Sequence, residues 1–204
     1  YHKLWYVRYS NEILLGFFGS KQEAFVTFEK IKNIIKKKLK IEIYLEKFNM
    51  EHHSQGVLFL GYRLFSNYNS KLNLNVWQKS NNGIKFSIPI KNLIKCYATK
   101  GFMQRAKKGK NVKYVAKRVD KWIFLPSDEI VIKKFNFIIR SIANYYNGSS
   151  YPSALNELWR LLRRSAALTL AHRRRMNTAK KAFKKWGRDL VVMVRFVSYN
   201  NLII

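Results

Sequence analysis

The stretch Tyr6-Val7-Arg8-Tyr9-Ser10-Asn11-Glu12-Ile13-Leu14-Leu15-Gly16 predicts a β-hairpin near the beginning of the sequence. Its two ends are rich in aromatic, branched and other apolar residues, which favour strands, and they flank the polar residues 10–12. A short polar segment between two such runs is typical of a tight turn. Residues 6–9 and 13–18 are therefore predicted to pair as antiparallel strands.

A helix is predicted directly after this hairpin. Gly19 ends the second strand, and Ser20 with Glu23 three residues later forms a capping-box sequence, in which each side chain satisfies a backbone N–H at the start of a helix. The apolar stripe of this helix is predicted to be Ala24, Phe28, Ile31 and Ile35. Further strand-like runs follow at residues 41–45, 56–65, 72–77 and 84–90, with a turn at 81–83 and a short helix within 90–97.

The net charge limits the classes of partner. The chain has 48% hydrophobic residues, enough for a core, but 40 Lys and Arg against 11 Asp and Glu, a formal net charge of +29. Such self-repulsion favours a polyanionic partner. Nucleic acid is the first candidate, because contacts with phosphates release condensed counterions, and an anionic membrane surface is the second. No apolar run approaches the ~18 residues that a membrane-spanning helix needs. An AT-rich genome accounts for the lysines at 36–38 but not for the arginine clusters.

Residues 122–204 are predicted to be mainly helical. Ser127 with Glu129 opens a helix that runs to Tyr146, and Pro152 stands near the first position of the next helix, where its missing N–H is tolerated. The apolar side of that next helix is predicted to be Leu155, Leu158, Trp159, Leu162, Ala166 and Leu170. A third helix is predicted to turn Met176, Ala179, Phe183 and Trp186 inward and to end near Gly187.

The outer faces of these last two helices carry one sign of charge. Between residues 151 and 188 there are eleven Lys or Arg and one acid, Glu157, whereas a solvated helix face normally mixes both signs. We therefore predict a surface that follows phosphates, with a merely solvated face as the alternative. Its predicted residues are Arg160, Arg163, Arg164, Arg173, Arg174, Arg175, Lys180, Lys181, Lys184, Lys185 and Arg188.

A second basic segment spans residues 100–121, with nine Lys or Arg and one acid, Asp120. Because it shows little periodicity, it is predicted to be a basic loop that becomes ordered on a polyanion. Lys107, Lys108 and Lys110 would then form a flexible arm that binds the polyanion. The alternative is an exposed linker that contacts nothing.

Several segments in the same order resemble the reverse-transcriptase maturases of group II introns. The hairpin resembles the family segment that normally carries Tyr-Ala-Asp-Asp, and Phe59-Leu60-Gly61-Tyr62 matches a later family block at the expected separation. Other matching segments are Gly19-Ser20-Lys21-Gln22-Glu23-Ala24, Leu45-Glu46-Lys47, Ile142-Ala143-Asn144-Tyr145-Tyr146, Ser165, Thr169-Leu170-Ala171 and Phe183-Lys184-Lys185-Trp186-Gly187. The last four resemble the maturase thumb, also called domain X.

The resemblance implies an α+β fold. A partial reverse-transcriptase palm, with antiparallel strands and a helix, would be followed by an α-helical thumb bundle. The expected divisions are a palm remnant at 1–90, a basic connector at 91–121 and a helical thumb at 122–204. The fingers, the upstream palm strand and the endonuclease module of the family are not expected in this sequence.

The polymerase motif departs from the family pattern. DNA synthesis uses two metal ions held by carboxylates, but the motif here is Tyr9-Ser10-Asn11-Glu12. Asn11 is a neutral amide where the family has its first Asp, and Glu12 is one methylene longer than the second. We therefore predict no catalytic residues, no metal site, no cofactor and no reverse-transcriptase activity. Residual enzyme activity is the alternative that a primer-extension assay tests.

Further predictions concern two adjacent histidines and the C-terminal aromatic residues. His52 and His53 follow Glu51, but adjacent side chains on an extended segment point to opposite faces, so a metal site is not predicted there. Aromatic side chains of the C-terminal region are candidates for stacking on unpaired bases or for the core: Tyr145, Tyr146, Tyr151, Trp159 and Trp186. The core is favoured for the two tryptophans.

The sequence thus predicts an RNA-binding, maturase-like protein that stabilises structured RNA such as a group II intron for splicing. The alternative is a structural RNA-binding component of a large organellar ribonucleoprotein such as the mitochondrial ribosome. The expected partner is intron or ribosomal RNA, together with other chains of a ribonucleoprotein complex and without a membrane. The expected location is mitochondrial, with the chloroplast as the alternative.

Overall fold

The chain forms two compact units, Tyr1–Ser87 and Ile88–Ile204. The structure, a computed structural model, describes residues 4–43, 48–66, 84–108, 111–187 and 190. Both units combine helices with small antiparallel sheets, so the predicted α+β class is confirmed. The arrangement as palm and thumb, and the divisions at 90/91 and 121/122, stay predictions.

The predicted first hairpin is confirmed. Strands β1 (Leu4–Tyr9) and β2 (Glu12–Phe17) pair antiparallel, with Tyr9 opposite Glu12 at the closing end. Only Ser10 and Asn11 lie between the strands, and Ser10 has a φ of 52°. A positive φ in a two-residue loop matches the right-handed twist of the strands it joins.

Helix α1 (Lys21–Leu39) begins as its sequence predicts. Ser20 Oγ accepts from the Glu23 N–H, and the Glu23 carboxylate accepts from the Ser20 N–H at 2.9 Å, which completes the capping box. The predicted apolar stripe is the least exposed face of the helix. Its one buried residue, Phe28, stacks on Phe48 with 3.8 Å between ring centroids.

The segment 56–65 is a second hairpin, and its prediction as a single strand is wrong. Strands β3 (Val57–Phe59) and β4 (Tyr62–Ser66) are joined by Leu60 and Gly61, with φ values of 48° and 72°. Two positive φ values define the type I′ turn, and a leucine in that conformation is too unusual for the sequence to indicate it. Strand β5 (Ile84–Ser87) pairs with β4.

Three predictions between residues 41 and 83 lie partly or wholly outside the described residues. Residues 41–43 form no strand, so that part of the strand predicted at 41–45 is wrong. The rest of it, at 44–45, the strand predicted at 72–77 and the turn predicted at 81–83 lie outside the described residues.

In the second unit, the predicted short helix is confirmed as α2 (Ile90–Thr99), whereas the loop predicted at 100–121 is wrong. Strands β6 (Met103–Lys108) and β7 (Asn111–Ala116) form a hairpin, followed by a 3₁₀ turn at Asp120–Trp122. The base of this hairpin is buried through Phe102 and Met103. Beyond this base, β6 carries Arg105, Lys107 and Lys108, and these basic residues hide the period-two pattern of a strand.

Three helices complete the second unit. Helix α3 (Asp128–Tyr145) has Ser127 as its N-cap, which confirms the predicted start. A 3₁₀ turn at Pro152–Leu155 leads directly into α4 (Asn156–Arg173), which packs against α2, α3, β6, β7 and α5 (Ala179–Trp186). The core around α4 contains Val131, Ile132, Phe135, Leu158, Leu162, Ala166 and Leu170, each with at most 1% of its surface exposed.

The predicted inner face of α5 is only partly right. The helix begins at Ala179, so Met176 precedes it, and the fully buried residue is Ala182. Phe183 and Trp186 are half-buried beside it. A small residue at the closest point allows α5 to approach α4. Gly187 ends the helix with a φ of 78°, as predicted.

Hydroxyl groups of α4 fix the segment that follows the β6–β7 hairpin. Thr169 Oγ1 accepts from the Val119 N–H at 3.0 Å and donates to the Ser165 carbonyl at 2.8 Å. Ser165 Oγ donates to the Lys117 carbonyl at 2.5 Å. Both hydroxyl residues are fully buried, so these bonds satisfy polar groups that water does not reach.

In the described part of the chain, no helix is both long and apolar enough to cross a membrane.

Candidate nucleic-acid interface

The candidate interface is the basic face of α4 and α5, which we define as Arg160, Arg163, Arg164, Lys180, Lys181, Lys184 and Lys185. On α4, the buried side consists of Leu158, Leu162 and their neighbours, and the arginines lie on the remaining surface three and four residues apart. Arg160 and Arg164 are exposed, and Arg163 is half-buried. The apolar periodicity of α4 thus directs these guanidinium groups away from the core.

Helix α5 presents four lysines together. With Ala182 buried against the rest of the unit, Lys180, Lys181, Lys184 and Lys185 are all exposed, as predicted. Within the described residues none of the four has an ion-pair partner, and Lys185 Nζ lies 4.9 Å from the Trp186 ring centroid. Four like charges on two turns repel one another, so an anion bound here lowers the electrostatic energy.

Arg173 lies in a different environment from the one expected for an RNA contact. Its side chain is 17% exposed, and Nε donates to Asp128 Oδ1 at 2.7 Å. Its two terminal nitrogens donate to three backbone carbonyls, those of Ile123, Leu125 and Pro126. The guanidinium therefore joins the end of α4 to the loop before α3, and this structural use occupies its donors.

The two arginines that follow are more accessible. Arg174 Nε donates to Asp128 Oδ2 at 2.6 Å while its side chain is 51% exposed. Asp128 lies in the first turn of α3 and is buried. Each of its carboxylate oxygens therefore accepts a hydrogen bond from one arginine. Arg175 is exposed and has a φ of 53°, which turns the chain away from α4. RNA contacts by Arg173, Arg174 and Arg175 stay predictions.

Two of the three lysines predicted as a flexible arm belong to strand β6. Lys107 and Lys108 are residues of β6, where the structure describes the strand but not their side chains. Lys110 lies outside the described residues, as does Arg188 of the predicted surface. The described positions Arg105 and Lys113 of the same hairpin are exposed, so positive charge extends along this ribbon.

The motif at the first hairpin is organised by backbone contacts. Arg8 Nε donates to the Ser10 carbonyl at 3.0 Å, across the turn. Glu12 Oε2 accepts from the Leu60 N–H at 2.9 Å. This bond joins the turn of the second hairpin to the first strand pair. Tyr9 and Asn11 are exposed beside it.

The adjacent histidines do not point to opposite faces, and that prediction is wrong. The rings of His52 and His53 lie 4.1 Å apart, because residues 53–55 form a turn instead of an extended segment. His52 Nδ1 is 2.8 Å from Ser54 Oγ, and His53 Nδ1 is 3.3 Å from the Ser66 carbonyl. Among the described residues, no group of three or more His, Cys, Asp or Glu side chains has the arrangement of a metal site.

The second unit also matches a known family. The family described as type II intron maturase matches residues 81–202, more than half of the 204-residue chain. The chain belongs to this family. The matched segment contains every element from β5 to α5 and with them the whole basic face.

Relatives extend the similarity across most of this maturase-family chain. The putative COX1/OXI3 intron 2 protein of Saccharomyces cerevisiae is 24% identical over 94% of the chain and 23% of its own length. The group II intron-encoded protein LtrA of Lactococcus lactis subsp. cremoris is 29% identical over 89% of the chain and 31% of its length. Maturase K of Chaetosphaeridium globosum is 28% identical over 96% of the chain and 38% of its length. The chain thus spans between 23% and 38% of the length of these relatives.

The maturase-family chain divides its C-terminal aromatic residues between core and surface. Tyr146 is buried with 6% exposed, which places it in the core, whereas Tyr145 and Tyr151 are 56% and 43% exposed. Trp159 and Trp186 are half-buried, on the inner sides of α4 and α5. The exposed tyrosines therefore stay candidates for stacking on bases.

The contacts that Arg118 makes with Asp120 and His172 were not predicted from the sequence. Arg118 Nε donates to Asp120 Oδ1 at 2.8 Å, and Arg118 Nη1 lies 3.1 Å from His172 Nδ1. The hydrogen bond from Arg118 lowers the pKa of Asp120 below its ordinary value, and the charges of Arg118 and Lys117 act in the same direction. The contact between Arg118 and Asp120 could be expected, because the two residues are close in the sequence. The contact with His172 could not, because His172 is 54 residues from Arg118.

Proposed function

We propose that this protein binds structured intron RNA through the basic face of α4 and α5 and stabilises the folded form that splices. The single observation that carries the proposal is the exposure of like charges on two packed helices within the maturase-matched segment. The protein would supply binding energy, and the chemistry would belong to the RNA. Membership of the type II intron maturase family supports the class of RNA.

Electrostatics supports a phosphate-binding role for this face. Each phosphate neutralised by a Lys or Arg releases condensed counterions, which favours association. Arg160 and Arg164 add planar guanidinium groups, which bind phosphate oxygens in pairs, whereas the α5 lysines act as point charges. A surface of both kinds follows a folded backbone and discriminates little between bases.

We further propose that the protein does not synthesise DNA. Magnesium sites of the two-metal type need carboxylate oxygens with near-octahedral geometry. Asn11 has no charge to offer at the first position. Glu12 directs an oxygen to the Leu60 N–H, which supports a structural use of the second. Loss of polymerase chemistry is compatible with splicing, because intron RNA does not need it for its own transesterification.

The proposed location is a mitochondrion or a chloroplast, with RNA as the main partner and with other chains of a ribonucleoprotein as further partners. The support is the resemblance to degenerate organellar maturases and a composition rich in Lys, Asn, Ile, Tyr and Phe, which is typical of AT-rich genomes. Crosslinking in the native organelle, followed by sequencing of the bound RNA, identifies the intron.

The experiment that tests the function uses that intron. Addition of the purified 204-residue chain to the unspliced precursor at limiting magnesium should increase the splicing rate, and a variant with Gln at Lys180, Lys181, Lys184 and Lys185 should not. Primer extension on the same RNA with magnesium or manganese should give no product above a heat-inactivated control. Unchanged splicing, with stoichiometric sedimentation of the protein on ribosomal subunits, would contradict the splicing function and favour a structural role in a ribonucleoprotein.

A further inference from the structure

A shallow depression on the outer face of α3 is separate from the basic face of α4 and α5. Its volume is about 510 Å³, within the range of roughly 300–1,000 Å³ that small-molecule sites occupy. The lining residues are Trp122, Ile130, Lys133, Lys134, Phe137 and Ile138. The five from α3 recur at spacings of three and four, so they form one stripe on the side opposite the buried Val131, Ile132 and Phe135.

Trp122 forms a fixed wall of this depression. Its ring meets Phe135 edge-on, with 4.9 Å between centroids and 77° between planes, and meets Phe102 at 5.3 Å and 83°. Phe135 is 1% exposed and Phe102 is 5% exposed. Edge-to-face packing against two core rings holds the indole in place, and the depression therefore has a pre-organised aromatic side.

Phe137 is unusually accessible for a phenylalanine in the middle of a helix. It is 73% exposed, although the core of the second unit is close by and α3 buries other positions fully. One exposed aromatic residue alone does not indicate a binding site. Beside a half-buried tryptophan at a concave surface, it adds a second ring on which a flat molecule can stack.

The charged residues of the depression are all positive. Lys133 and Lys134 are exposed, and none of the six lining residues is acidic. Lys134 Nζ lies over the Trp122 ring, 5.5 Å from its centroid, where the cation–π attraction holds the ammonium group against the face of the indole. Two rings with two ammonium groups at their border are complementary to a flat apolar group linked to an anion.

We propose that this depression binds an unpaired nucleotide of the RNA, with the base stacked on the exposed ring of Phe137 beside the wall formed by Trp122 and the phosphate near Lys133 and Lys134. The inference rests on the proposed RNA-binding function and adds a site for single-stranded RNA to it. Base stacking on aromatic side chains is tolerant of sequence, because every base has a π face. Positive charge at the border favours RNA over an apolar protein segment as the occupant, since an apolar segment gains nothing from the two ammonium groups.

The test compares single-stranded and double-stranded RNA with one substitution. Phe137→Ala in the full chain should lower the affinity for a short fluorescein-labelled oligouridylate by about 5- to 150-fold, the range for removal of one base–aromatic stack. Affinity for a blunt RNA duplex, measured by the same anisotropy titration, should not change, because paired bases do not expose their faces. Phe137→Trp should retain the affinity for the single strand.

Phe124 provides a matched control. It is 88% exposed and does not line the depression, so Phe124→Ala removes the same group and should leave both affinities unchanged. A Lys133→Gln, Lys134→Gln variant should lower the salt slope on the oligouridylate, by about 0.7 for each phosphate that a lysine no longer neutralises.

Three results would overturn the inference. The first is an unchanged affinity of Phe137→Ala for the single strand, and the second is an equal decrease in affinity for both RNAs. The third is a self-association that Phe137→Ala abolishes without any change in RNA binding, which would assign the depression to a second copy of the chain. Failure of the unsubstituted protein to bind either RNA would instead contradict the proposed function itself.

Discussion

Glu12 Oε2 accepts a hydrogen bond from the Leu60 N–H at 2.9 Å, and this bond links two turns that are 48 residues apart in the sequence. Glu12 begins β2. Leu60 is the first of the two central residues of the type I′ turn between β3 and β4, and its φ is 48°. The conformation of Leu60 is unfavourable for a residue with a side chain, and the bond from its N–H stabilises it. A carboxylate in the polymerase-like motif thus has a structural partner.

The first prediction concerns this bond. Glu12→Ala should destabilise the first unit by about 0.5–1.5 kcal/mol, the net contribution of an exposed hydrogen bond. Glu12→Gln retains an acceptor oxygen at the same distance and should destabilise it less. Amide exchange of Leu60, measured by NMR, should be faster in Glu12→Ala than in Glu12→Gln. Equal exchange in the two variants would show that the bond does not protect this amide.

The second prediction uses Arg173 and Arg174 as a matched pair on one carboxylate. Arg173→Ala leaves the buried Asp128 with a single partner and removes the donors to three carbonyls, so a decrease of about 3 kcal/mol in the free energy of unfolding is expected. Arg174 is 51% exposed, and Arg174→Ala should cost about 1 kcal/mol or less. Denaturant unfolding measures both, and equal decreases would contradict the structural use of Arg173.

The third prediction concerns the pKa of the Asp120 carboxyl group. The carboxyl of Asp120 should titrate with a pKa below its ordinary value of 3.8, because Arg118 donates a hydrogen bond to the ionised form. Arg118→Gln should raise that pKa, as ¹³C NMR titration of the carboxyl carbon would show. The folded pKa lies below the unfolded one. The contribution of Asp120 to stability is therefore complete above the unfolded pKa and is lost as the pH falls through the folded pKa.

Local chemistry explains which parts of the fold were predictable from the sequence. Ser20 with Glu23 and Ser127 identify helix starts because capping involves residues within one turn of each other. The exposed lysines of α5 followed from helical periodicity alone. By contrast, the described side chains that the β6–β7 hairpin buries are Phe102 and Met103 at its base, and the sequence of β6 beyond them does not alternate between apolar and polar residues.

Contacts between residues that are distant in the sequence explain which features could not be predicted from it. Arg173 is 45 residues from Asp128, and sequence alone gives it the same status as Arg164 on the same helix. Tyr145 and Tyr146 are neighbours, yet only the second is buried, because the end of α3 directs it inward. The exposed Phe137 was missed for a related reason: in the sequence it resembles any other apolar residue of an amphipathic helix.

The salt dependence of RNA binding tests the central claim most directly. Replacement of Lys180, Lys181, Lys184 and Lys185 by Gln should weaken binding of intron RNA and reduce the slope of log K against log salt by ~3, because each phosphate contact contributes about 0.7–0.9. A control with Gln at Lys21, Lys30, Lys37 and Lys38 of α1 removes the same charge from exposed positions of the first unit and should leave the slope unchanged. An unchanged slope for the α5 variant, or an equal reduction in both variants, would contradict the assignment of the α4–α5 basic face as the RNA-binding surface.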